Sequence, residues 1–389
     1  MYNTKQLCHK PYSREPKYLF DLFSSISSEI IDTSFEIEQV KSASVFPEIA
    51  SDDNKHVLYW DIQYWDFFER FLLELSYLLE NNSYLKNFTD HVCSICFDYL
   101  SLKLLHLPAL AYCIQVNRER RFGTETAYLP GSNLGEYQMI GGVFWNNTLL
   151  ARLLVFNHEL FHLYYQLKPD QKTADYNMLH KLADLYMDGD WTDFKTDSEE
   201  DKILLDGLHK LQHSGYDKFV EEASCDYRAL IETVSIQSKI DSESQCNLVQ
   251  HIQEIHDAFH VNQTFLSSLC NISSCWEAIY RAYISANSTE EVLKDVQPSF
   301  DMAAQMASVR NIIIPDFLDR LIMQKYGVTS YVNILDTPFV RSAFQKVMDK
   351  MLDVNFMVYA IEESLKLIRL PHFNPFELKD IVLSNAGYQ

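Results

Sequence analysis

Ten of the 389 residues are glycine, about a third of ordinary usage. Five of the ten (Gly123, Gly131, Gly135, Gly141 and Gly142) fall in "FGTETAYLPGSNLGEYQMIGGVFWNN", together with Pro130. The rest of the chain must therefore be built from elements that seldom need a left-handed backbone. Stretches such as "WDFFERFLLELSYLLENN" and "FQKVMDKMLDVNFMVYAIEESLKLI" place apolar residues three and four apart, which predicts helix after helix. In and beside the glycine cluster, "AYCIQV", "ETAYL" and "YQMIGGVFW" read as short strands separated by turns. The expectation is an α+β, mainly helical chain. It has a helical N-terminal region over 1–108, a core over 109–240 that opens with a small sheet at about 111–146, and a helical C-terminal region over 241–389.

The formal net charge is −21 and the pI about 5.0, so a basic face for nucleic acid is not expected. At 47% hydrophobic and 22% charged, the chain is too apolar for disorder. No stretch reaches the 18 or so uninterrupted apolar residues of a spanning helix; "LSLKLLHLPALAYCI" is broken by Lys103, His106 and Pro108. The opening "MYNTKQLCHKPYSREPKYLF" lacks the apolar run of a secretory signal. The expected location is the cytoplasm, or a host cytosol into which the protein is delivered, and the eight cysteines are expected as free thiols.

The stretch "TLLARLLVFNHELFHLYYQL", which Asn147 or Thr148 can cap and Lys168-Pro169 ends, carries apolar residues on more than one face of a helix. It holds His158-Glu159-Leu160-Phe161-His162. Residues i and i+4 share a helix face, so both imidazoles can reach one ion. Glu159 lies about 100° around the helix from His158, placed to take a proton from a water that zinc has made acidic. Zinc is the expected cofactor, with His158 and His162 as ligands and Glu159 as general base.

A catalytic zinc needs a third protein ligand. The metzincin extension of this motif fails, since Tyr165 and Lys168 stand where it requires Gly and His, and the aminopeptidase pattern GxMEN is absent. The favoured candidate is Glu222, sixty residues beyond His162 in the amphipathic stretch "YDKFVEEASCDYRALIETV". Asp226, one turn later, can accept the ring N–H of a ligating histidine and fix its tautomer. Glu221 does not share a face with Asp226. The competing third ligand is Asp184, with Asp188 orienting it.

HExxH followed by a distant ExxAD helix resembles the gluzincin zinc peptidases, including the heat-shock and CAAX-processing families. Here the second motif is Glu222-Ala223-Ser224-Cys225-Asp226, with cysteine in place of the family's alanine. The resemblance covers two helices. It implies a zincin-like fold and peptide-bond hydrolysis of a protein or peptide substrate, but neither the substrate nor the membrane setting of those families.

Other patterns carry less. Cys93 and Cys96 sit three apart in a helical stretch, the spacing of a core pair. His256 and His260 form a second i, i+4 pair, with no carboxylate cluster in view to complete it. His251, His256, His260, Tyr280, Tyr283 and Arg310 are alternative stabilisers of a tetrahedral oxyanion. The reading is a zinc-dependent endopeptidase. The alternatives are a non-catalytic binding or scaffold protein with a structural zinc, and a non-peptidase zinc hydrolase.

Overall fold

The computed structural model describes residues 17–31, 35–40, 48–52, 55–80, 82–122, 142–187, 216–240, 248–285, 291–292, 294–298, 300, 318–319, 325–327, 337–368 and 375–385. Helix α1 (Lys17–Ile30) precedes strands β1 (Phe35–Val40), β2 (Glu48–Asp52) and β3 (Lys55–Asp61). Helices α2 (Ile62–Glu80), α3 (Leu85–Lys103) and α4 (Pro108–Phe122) follow, then α5 (Gly142–Leu167), α6 (Pro169–Met187), α7 (Tyr216–Ile240) and α8 (Leu248–Ser285). The last three are α9 (Pro338–Met351), α10 (Val354–Ile368) and α11 (Pro375–Asn385). Among the described residues the chain is mostly helical with one small sheet, as expected, but that sheet lies outside the segment where one was expected.

Strand β3 is central, parallel to β1 and antiparallel to β2. The sheet thus falls inside the segment expected to be helical. Its strands are only 5–7 residues long, and β3 runs directly into α2. Asp61 turns that corner: its Oδ1 accepts the backbone N–H of Gln63 at 2.9 Å, the bond that closes a helix N-terminus. Conversely, "AYCIQV" lies in α4 and is no strand. Pro108 opens that helix, where its missing N–H costs nothing. The buried side chains Leu110, Ala111, Ile114, Gln115 and Arg118 keep helical spacing, and Arg118 pairs with Asp98 of α3, Nε lying 2.9 Å from Oδ1 and Nη2 donating to Oδ2 at 3.4 Å. The strand expected at 125–129 lies outside the described residues, as does most of the one at 137–145, whose last residues are helical. Because α5 begins at Gly142, Asn147 and Thr148 are interior to it and do not cap it. The acidic stretch beyond Met187 also lies outside the described residues.

One hydrophobic core runs from Leu19 to Val382 and takes side chains from every helix but α6 and α7's site-facing turns. Aromatic contacts tie α5 into it. Phe156 stacks on Phe23 of α1 with ring centres 4.0 Å apart, and Phe23 meets Trp60 of β3 edge-on at 5.1 Å. Arg152 donates to Glu69 of α2 at 2.6 Å while its guanidinium lies over Trp65. On the opposite side, α5 packs along α7 and α8. There the buried Asn157 donates to Thr233 of α7 at 3.1 Å, which sets the register of the two helices one residue away from His158.

Candidate metal centre

Helix α5 is buried on several faces, by Leu153, Phe156, Leu160 and Leu163 among others. The two histidines occupy the strip that turns toward α7. His158 Nε2 and His162 Nε2 lie 3.1 Å apart. Glu222 Oε2 of α7 stands 3.4 Å from the first and 4.0 Å from the second. Around a tetrahedral zinc with bonds of about 2.0–2.1 Å, donor atoms sit roughly 3.3 Å apart. The three side chains therefore already have the spacing of three corners of such a site, and their chemistry, two imidazoles and a carboxylate, suits zinc.

Asp226 stands behind His158, with Oδ1 2.7 Å from His158 Nδ1. That contact makes Nδ1 the protonated nitrogen and leaves Nε2 to face Glu222 and His162. Asp226 is itself held by Gln263 of α8, whose Nε2 donates to both carboxylate oxygens at 3.4 Å. Burial works against charge on His158, but the Asp226 and Glu222 carboxylates outweigh it and hold the ring's pKa well above its ordinary value. His162 goes the other way: burial and the neighbouring His158 charge lower it to about 4. At neutral pH the pair thus carries a neutral imidazole beside one that a cation must deprotonate to bind.

Glu159 is half-buried, and its charge reaches across to Cys225 of α7. Burial first, then Asp226, Glu222 and Glu159, push the Cys225 thiol well above its ordinary value. Cys225 therefore stays a thiol and packs with Phe161 and Tyr165 as a small apolar group.

Of the two competing third ligands, Glu222 joins the histidines, whereas Asp184 is exposed on α6 and Asp188 lies outside the described residues. Glu221 does approach the site: its Oε1 is 3.7 Å from His162 Nδ1 and from Lys172 Nζ. Among the oxyanion candidates, His256 and His260 are buried against Asp319, and Tyr280 and Tyr283 pack in or against the main core. Arg310 and the side chain of His251 lie outside the described residues. Cys93 and Cys96 are buried in α3, and burial pushes the Cys93 thiol up to about 12.

Two features near the centre have no sequence motif. One is Gln263. The other is a brace in which Asp175 of α6 accepts from Tyr165 of α5 at 2.8 Å and from Arg228 of α7 at 2.9 and 2.6 Å. It closes the far end of the α5–α7 pair. No helix among the described residues is long and apolar enough to cross a membrane. Comparison with family models, curated proteins and solved structures finds no match.

Proposed function

We propose that the protein is a zinc-dependent peptidase whose metal is held by His158, His162 and Glu222. The observation that carries the reading is the convergence of those three donors, 3.1–4.0 Å apart, beside a glutamate that follows the first histidine. When bound, zinc supplies Lewis acidity and brings the pKa of water near neutrality. Asp226 holds His158 in the tautomer that presents Nε2, and Gln263 keeps Asp226 from swinging away. Glu159 accepts the proton of the attacking water at its carboxylate and passes it to the leaving amine. The peptide nitrogen then departs as an amine and the acyl carbon as a carboxylate.

A structural zinc in a binding protein would need neither Glu159 nor partial exposure of the histidines, and both are present. The test is cleavage of a mixed peptide library, followed by mass spectrometry, with and without chelator. Zinc-restored cleavage is expected. Glu222→Ala should empty the centre and abolish it, while Asp184→Ala leaves zinc content and cleavage unchanged. A reversal of those two variants, or chelator-resistant cleavage, overturns the assignment.

A further inference from the structure

A second group of metal-ligating side chains lies apart from the first. His256 and His260 project from one face of α8, one turn apart. Asp319 reaches them from the helical pair 318–319, 59 residues beyond His260. Its Oδ2 stands 2.7 Å from His256 Nε2 and 3.1 Å from His260 Nε2. The two rings are 4.1 Å apart, and both histidines are buried. Asp319 is thus the carboxylate that the sequence pattern around His256 and His260 does not reveal.

Both histidines turn the same ring nitrogen, Nε2, on one carboxylate oxygen. The three ligand atoms all lie within 4.8 Å of one another, close enough for one small cation to meet all of them. Two imidazoles with one carboxylate are a donor set that first-row divalent ions, zinc above all, accept. A tetrahedral ion would spread the shorter contact by about 0.6 Å, within the reach of a side-chain rotation. We propose that His256, His260 and Asp319 bind a second divalent transition-metal ion, in a closed structural site.

The surroundings argue for structure over catalysis. Asp257 follows His256 as Glu159 follows His158. It lies on the Nδ1 side of the ring, 3.9 Å away, and accepts from Gln253 of its own helix at 3.1 Å. Among the described residues, Asp319 is the carboxylate grouped with the two Nε2 atoms. The ion would pin residues 318–319 to α8 one turn before Gln263, the residue that backs Asp226.

The experiment uses the full-length protein, stripped by chelator and then titrated with Zn²⁺, with bound metal counted by mass spectrometry and folding followed by circular dichroism. Wild type should take two equivalents. Asp319→Asn and His260→Gln should each take one, His162→Ala one, and the His162→Ala, Asp319→Asn double variant none. Zinc should raise the melting temperature of His162→Ala but not that of the double variant. Asp319→Asn keeps the size and one acceptor oxygen, so it decides the matter where His260→Gln fails to fold. One equivalent in wild type, lost in His162→Ala and kept in Asp319→Asn, overturns this site and spares the first. One equivalent lost in Asp319→Asn and kept in His162→Ala upholds this site and overturns the first.

Discussion

Helices α5 and α8 each carry two histidines four residues apart, in HELFH and HDAFH, and each pair meets a carboxylate from a distant part of the chain. The α5 side chains are 17% and 23% exposed; those on α8 are 5% and 8% exposed. At α5 the carboxylate stands off at 3.4 and 4.0 Å, whereas at α8 it sits at 2.7 and 3.1 Å. The residue after the first histidine also differs by one methylene: Asp257 accepts from its own helix, while the charge of Glu159 is felt at Cys225 of α7. A shared helical spacing is therefore compatible with two kinds of site, one reachable and loosely closed, the other sealed. Exposure and the position of the following carboxylate separate them.

The sharpest way to break this comparison is to remove the following carboxylate from each motif. Glu159→Gln should retain zinc and its melting temperature yet lose peptide cleavage on the order of a hundredfold or more, as loss of a general base does. Asp257→Asn should change cleavage little. Equal losses in both variants, read as kcat on a peptide found in the library screen, would erase the distinction. Next comes Asp226→Asn, which removes the charge of the partner of His158 Nδ1. Zinc affinity at the first site should fall roughly 10–100-fold, with the second equivalent untouched, as measured by competition with a chelating dye.

The two regions are also braced differently. Asp175→Ala would strand the buried Tyr165 hydroxyl and leave the partly exposed Arg228 guanidinium to water, at a cost of about 2 kcal/mol. Urea unfolding of the metal-free protein should show that loss, and first-site zinc affinity should drop with it. A change confined to the second equivalent would place the brace wrongly.

The smallest expected effect is on pH. His158 has a raised pKa and must shed a proton to bind zinc, so first-site affinity rises with pH. It should fall about tenfold per unit once the pH drops below that pKa, beginning above the ordinary histidine value of about 6.5. Asp226→Asn removes the largest charge that raises it and should move the onset downward. A zinc titration repeated across neutral pH reads both.

What was legible in the sequence was local. The helix around His158 and His162, its stop before Pro169, and the placement of Glu222 and Asp226 on one face of α7 all follow from spacings of three and four. The location of the sheet was not legible, because glycine-marked turns point to 111–146, while β1 offers only six residues of alternation and β3 is buried along most of its length and does not alternate. "AYCIQV" is apolar enough for either state, and packing against α3 decided it. Gln263, Asp175 and Asp319 escaped for one physical reason. Each acts on a residue 10 to 59 positions away, so no periodic pattern announces it.

The dependence of His158 on Asp226, 68 residues later, and of Asp226 on Gln263, 37 residues later again, sets an order of events during synthesis. At about 5–20 residues per second, several seconds separate translation of the histidine helix from that of the glutamine backing its carboxylate. Until Glu222 and Asp226 emerge within that interval, α5 has its two imidazoles but neither the third donor nor the fixed tautomer. Metal capture at the proposed centre would therefore wait for α7, and a nascent chain halted before α8 would carry all three donors without the glutamine that backs Asp226.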